Sequence, residues 1–180
     1  MKRNEYLDYL KGLLISLVVL GHTIQVSKTN FDDSFLFRVI YSFHMPFFFL
    51  VSGYLAFSQL EKKGISFLSF KRKVVMLLIP FIGWYLIYNV GTIYSSSSSQ
   101  PIYVLFQSLE DLFSGVDLGL WYLWVLLLMY VIIFCSFKII PQAKFSILVC
   151  FLSALLLPMT NIAGIYLLKW YLIFFVVGGG

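Results

Sequence analysis

Charged side chains are scarce in this sequence. Only 12% of its 180 residues are Asp, Glu, Lys or Arg, whereas 61% are hydrophobic. A typical soluble domain has about a quarter charged residues and about half apolar ones. The mean hydropathy of +0.91 agrees with this imbalance. A water-soluble enzyme or binding module is therefore excluded, and an integral membrane protein is indicated.

Cysteines and clustered metal ligands are also few. The two cysteines, Cys135 and Cys150, lie inside apolar runs, so we interpret them as small buried hydrophobic residues. No group of ligands has coordination spacing, so no metal ion is implied.

The apolar runs are long and unbroken, without the alternation of barrel strands. The predicted fold class is therefore all-α, a polytopic transmembrane helix bundle.

Six apolar segments have lengths near the 20 residues or so that span a bilayer. They cover residues 10–26, 35–57, 74–94, 119–137, 145–160 and 165–180. No small-residue cleavage site follows the first segment, so we expect it to stay as an anchor. The sequence ends in "VVGGG" without a polar or basic anchor. We therefore expect one transmembrane domain over residues 1–180, truncated at its C-terminus.

The positive charges predict the orientation of the bundle. The ten on one side are Lys2, Arg3, Lys11, Lys62, Lys63, Lys71, Arg72, Lys73, Lys138 and Lys144, while the other side has Lys28 and Lys169, with Arg38 just inside the second span. Basic loops stay in the cytoplasm, so the N-terminus is predicted to be cytoplasmic. This rule also explains the net charge of +5 without nucleic acid as a partner.

A stretch of about residues 95–118 is predicted to lie outside. It opens with "SSSSSQP", a flexible linker composition. The residues at helical spacing after it are Val104, Leu105, Leu109, Leu112 and Phe113. They predict an amphipathic helix at the outer interface. Trp121 and Trp124 then begin the next span at headgroup depth, where aromatic side chains collect.

The segment "KGLLISLVVLGHT" holds Lys11 and His22 within an apolar run. Eleven residues make roughly three helical turns, so both lie on nearly one face, about 16 Å apart. Asp8 precedes Lys11 by one turn. One interpretation is a lysine that snorkels to the interface and a histidine that hydrogen-bonds between helices. The other is a chemical site, since ionisable groups are costly in a bilayer.

The second span, "RVIYSFHMPFFFLVSGY", contains a second histidine, His44. Pro46 removes a backbone hydrogen bond, which predicts a kink near His44. Ser52 and Gly53 offer a close-packing surface for another helix. These features have structural explanations, but two membrane histidines together favour proton transfer near neutral pH.

The order of these motifs resembles a known family. "YLDYLKGLLISLVVLGHT" followed by "FHMPFFFLVSGYL" is similar to the opening of the integral-membrane acyltransferase 3 family, especially the fucose O-acetylase-like polysaccharide O-acetyltransferases. "RKVVMLLIPFIGW" and "LWYLWVLL" also resemble spans of that family. The resemblance covers most of residues 5–130. Members generally have more spans, so the chain resembles their first half or slightly more.

The resemblance implies transfer of an acetyl group from cytoplasmic acetyl-CoA to a hydroxyl of a surface polysaccharide or glycolipid, in a bacterial cytoplasmic membrane. His22 would be a general base or accept the acyl group covalently. Lys11, Arg72 and Lys73 would hold the donor phosphates. Many relatives have arginine at the position of Lys11. Lysine keeps the charge but loses bidentate phosphate binding.

The resemblance leaves the role of His44 open: it would polarise the thioester, orient the acceptor or only pack. Arg38, near the outer end, would contact the acceptor glycan. Besides this acceptor, membrane lipid is the expected partner.

Two other interpretations of the sequence stay open. One is a multi-span transporter or flippase, such as a proton-coupled carrier, although no second "GH…HMP" repeat occurs and a carrier would not consume a thioester. The other is an inactive fragment of a longer acyltransferase.

Overall fold

A computed structural model describes residues 5–64, 66–96, 102–103, 106–107, 121–160 and 162–180. Its α-helices are α1 (Glu5–Ser27), α2 (Phe35–Lys63), α3 (Phe67–Ser96), α4 (Trp121–Ile139), α5 (Ala143–Leu156) and α6 (Ile165–Gly179). No strand occurs in these ranges. The prediction of an all-α bundle is confirmed. The predicted interfacial helix at about 95–118 lies mostly outside the described residues.

Within the described residues, five helices are long and apolar enough to cross a membrane. They are α1 to α4 and a last one, counted from Ile162 to Gly179. The predicted fifth span, 145–160, forms a helix of only 14 residues, α5. At 1.5 Å per residue it is about 21 Å long, shorter than the hydrocarbon core of about 30 Å.

Prolines explain the short length of α5. The residue before a proline is kept out of the α-helical region. Leu157 precedes Pro158 and has an extended ψ of 133°, so α5 ends there. Ile140 precedes Pro141, and α4 ends one residue earlier, at Ile139. In contrast, α2 continues as a helix through Pro46, and the predicted kink at His44 stays a prediction.

The helices α2 and α6 pack backbone against backbone. A methyl group on Gly53 would overlap the carbonyl oxygen of Phe175, and one on Gly178 would overlap the carbonyl oxygen of Leu50. Small residues allow such close approach between membrane helices. The prediction that Gly53 lies on a close-packing surface is therefore confirmed. The neighbouring Ser52 hydroxyl lies 3.3 Å from the Tyr122 hydroxyl of α4.

The core lies between α2, α4, α5 and α6. Its fully buried members include Phe49, Val125, Met129, Cys150, Leu172 and Phe175. The prediction of a buried Cys150 is confirmed. The same prediction was wrong for Cys135, which is exposed on α4, because apolar character alone does not say whether a side chain faces the protein or the lipid.

Two ends of the bundle matter for the site. The first, the α1–α2 end, is where residues 28–34 join α1 to α2 through a short turn at Phe31–Asp33. The second, the α2–α3 end, contains Gly64, which ends α2 with a positive φ of 64°. Its N–H donates to the carbonyl oxygen of Leu60 at 2.8 Å. The orientation inferred above would place the α2–α3 end in the cytoplasm.

Candidate active site

Gly21 brings α1 close to α2. It is buried, and a Cβ at this position would lie 2.9 Å from Cε2 of Tyr41. Since real Cβ atoms essentially never come so near, a larger residue here would require the Tyr41 ring to shift. This contact places the next residue, His22, near the first two turns of α2.

A chain of polar groups connects the two histidines across α1 and α2. His22 Nδ1 lies 3.3 Å from the side-chain oxygen of Gln25. The Tyr41 hydroxyl donates to the same oxygen at 3.4 Å. The Tyr41 ring meets the His44 imidazole edge-on, with centroids 4.8 Å apart. The two predicted catalytic residues are therefore linked through Gln25 and Tyr41.

The two histidines differ in surroundings. His44 is only 2% exposed, and its Nδ1 lies 2.6 Å from the carbonyl oxygen of Ile40. A carbonyl only accepts, so Nδ1 carries the proton and Nε2 keeps the lone pair. His22 is exposed on α1. Of the two imidazoles, that of His22 is the one exposed at the surface of the described helices.

A cavity of about 70 Å³ lies at the α2–α3 end. It is lined by Ala56, Gln59, Leu60, Gly64, Ser66, Ser69, Phe70, Lys73, Tyr130, Ile133 and Phe134. The Lys73 Nζ donates to the Tyr130 hydroxyl at 3.2 Å and lies 4.3 Å from the centre of that ring. These contacts fix a cation at the wall of an otherwise largely apolar cavity.

Lys73 is the one member of the predicted donor set that lines this cavity. Lys11 lies on α1, where its Nζ forms an ion pair with a carboxylate oxygen of Asp8, one turn earlier, at 3.9 Å. Arg72 is exposed on α3 and Arg38 is exposed near the start of α2. The structure therefore does not gather the predicted cations into a single cluster.

Aromatic rings fill the bundle between the histidines and the cavity. Phe49 is fully buried, and its ring centre lies 5.0 Å from that of Tyr122 and 4.8 Å from that of Tyr171. Trp121 stacks beside Tyr171 at 5.3 Å. Phe49 lies between His44 and Ala56 along α2, so this aromatic cluster separates the histidines from the cavity within the core.

The sequence model of the acyltransferase domain family matches residues 4–180. The chain belongs to this acyltransferase family. The resemblance inferred from the first two spans is thereby confirmed. Together with the apolar helices, it makes the chain a multi-pass membrane protein.

Two relatives of this acyltransferase-family chain are nodulation proteins NolL. The one from Mesorhizobium japonicum is 30% identical over 135 residues, which cover 73% of this chain and 35% of the relative. The one from Sinorhizobium fredii is 31% identical over 197 residues, 98% of this chain and 48% of the relative. The chain thus spans less than half the length of each. No solved structure matches it.

Sequence reasoning missed three polar residues of this acyltransferase-family site. Gln25 and Tyr41 join the histidines, and Tyr130 holds Lys73. The signal for Gln25 was its position three residues after His22, which places both on one helix face. Tyr41 and Tyr130 gave no such local signal, because their partners lie on other helices.

Among the described residues, no group of three or more His, Cys, Asp or Glu could hold a metal ion.

Proposed function

We propose that this chain is part of a membrane O-acyltransferase that moves an acetyl group from cytoplasmic acetyl-CoA to a sugar hydroxyl of a surface polysaccharide or glycolipid. The membrane is a bacterial cytoplasmic membrane. The observation that carries the proposal is the pair of histidines on α1 and α2, linked through Gln25 and Tyr41, in a member of this family. His22, one of the two, is exposed.

In the proposed reaction, His22 Nε2 takes the proton of the acceptor hydroxyl as general base. The hydroxyl oxygen attacks the thioester carbonyl carbon and forms the ester bond. The carbon–sulfur bond then breaks, and the departing thiolate takes the proton from the imidazolium. The buried His44 supports this site from α2 beside the Tyr41 ring. Arg38, farther toward the α1–α2 end, contacts the acceptor glycan.

The donor would enter from the α2–α3 end. Lys73 supplies a point charge for the phosphates of coenzyme A, and the half-buried Lys11 and the exposed Arg72 add long-range attraction for an anion. Ala56, in the cavity wall, lies twelve residues after His44, about 18 Å along α2. A pantetheine arm of about 15–20 Å matches this length, and it would run along the outside of the aromatic cluster around Phe49.

Replacing Lys73 by methionine is expected to raise the KM for acetyl-CoA about tenfold, equivalent to about 1.4 kcal/mol, with kcat nearly unchanged. Methionine keeps much of the apolar stem but removes the charge. The measurement is the initial transfer rate at varied acetyl-CoA in membranes that contain the full chain. Lys138→Met removes an exposed lysine from the last turn of α4 and should leave KM unchanged. An equal KM in both variants would remove Lys73 from the donor site.

The proposed function itself is tested with acetyl-CoA labelled with ¹⁴C in the acetyl group. Membranes that contain the full chain should move label into the polysaccharide or glycolipid fraction and release free coenzyme A in equal amount. Membranes of a strain that lacks the chain serve as the control. If the two membranes consume acetyl-CoA equally, the transferase proposal fails, and a carrier or an inactive fragment explains the chain better.

A further inference from the structure

We propose that Gln25 is a positioning residue for His22. Its amide oxygen would hold the imidazole by Nδ1–H, so that the lone pair of Nε2 points to the reacting hydroxyl. This inference rests on the proposed function, in which His22 is the general base. It assigns a role to a side chain that neither the motifs nor the family match single out.

The side-chain amide oxygen of Gln25 determines which tautomer the His22 imidazole adopts. Gln25 Oε1 lies 3.3 Å from His22 Nδ1 and 3.4 Å from the Tyr41 hydroxyl. An amide oxygen only accepts, so both partners must donate to it. A neutral imidazole has one N–H, and this geometry assigns it to Nδ1. Nε2 is then the unprotonated nitrogen.

The second donor comes from another helix and fixes the amide in place. Gln25 lies one turn after His22 on α1, while Tyr41 lies on α2. The Tyr41 ring packs between Phe37, with centroids 4.1 Å apart, and His44, with centroids 4.8 Å apart. Gly21 allows this ring to approach α1. Gln25 is therefore held by the α1–α2 contact as well as by its own helix.

The hydrogen bond between His22 and Gln25 would also stabilise the protonated imidazole during the reaction. When Nε2 takes the proton from the acceptor hydroxyl, the imidazole becomes a cation with two N–H donors. The hydrogen bond from Nδ1–H to Oε1 then has a charged donor and becomes stronger. The thiolate released from coenzyme A takes the Nε2 proton, and the neutral tautomer returns. Gln25 thus favours the protonated intermediate without exchanging a proton itself.

Two variants of the full chain test the inference in the labelled acetyl-CoA assay. Gln25→Leu removes the acceptor and should lower the maximum rate on the order of 10–100-fold. The KM for acetyl-CoA should not change, because the donor cavity lies at the other end of the bundle. Gln25→Glu retains an oxygen that accepts both hydrogen bonds and should keep most of the rate. Gln142→Leu, the same change at an exposed position before α5, is the matched control.

The outcomes separate this inference from the proposed function. If His22→Ala keeps wild-type activity, the general-base role itself fails. If His22→Ala is inactive but Gln25→Leu keeps the wild-type maximum rate, only the positioning role is overturned. Equal losses for Gln25→Leu and Gln25→Glu would also overturn it. Should Gln25→Leu not accumulate in the membrane, Tyr41→Phe removes the second donor and should lower the maximum rate about threefold; an unchanged rate would count against the inference.

Discussion

His22→Ala should abolish O-acetylation of the host polysaccharide while the protein remains in the membrane at normal abundance. A positioned general base contributes about 10²–10⁴-fold to a rate, so the remaining transfer should fall below detection. The substitution is mild for the fold, because His22 is exposed and alanine favours helices. The measurement is the O-acetyl signal in proton NMR spectra of polysaccharide from the two strains.

Thr23→Ala is the matched control for this experiment. Thr23 follows His22 on α1, is exposed, and its hydroxyl donates only to the carbonyl oxygen of Val19 in its own helix at 2.8 Å. The control strain should show the normal O-acetyl signal. An unchanged signal at every sugar position in His22→Ala would contradict the catalytic role of His22. The carrier and the inactive fragment would then become the leading interpretations.

Gly53→Ala should lower the free energy of unfolding by about 3 kcal/mol. The added methyl group would overlap the backbone carbonyl of Phe175, and backbone atoms cannot rotate away as a flexible side chain can. The helices α2 and α6 would have to separate. Because α2 also carries His44 and one wall of the cavity, the proposed acetyl transfer should fall as well. The measurement is unfolding of the purified protein in detergent.

Gly83→Ala provides the comparison for this prediction. Gly83 lies within α3, and nothing stands within 4 Å of a Cβ at its position. Without a clash, alanine in place of a helical glycine should be neutral or stabilising by about 0.5–1 kcal/mol. If the two variants unfold alike, the close approach of α2 and α6 does not limit stability.

The sequence predicted the helices well because the information for them is local. The first two spans were expected at residues 10–26 and 35–57, and the helices run over Glu5–Ser27 and Phe35–Lys63. The real helices are longer because backbone hydrogen bonds continue into the polar residues that flank each apolar run. The fifth span was overestimated, since hydropathy counts apolar residues on both sides of a proline alike.

A multi-pass helical protein, an acyltransferase family and two histidines in the first two spans could all be recognised without coordinates. The packing of the helices was needed to show that Gln25 and Tyr41 connect those histidines, that Lys73 and not Arg72 lines the cavity, and that Cys135 lies on the surface. The difference arises from the rotation of each helix about its axis. Periodicity shows which residues share a face of one helix, whereas the neighbour that this face meets depends on packing against residues far away in the chain.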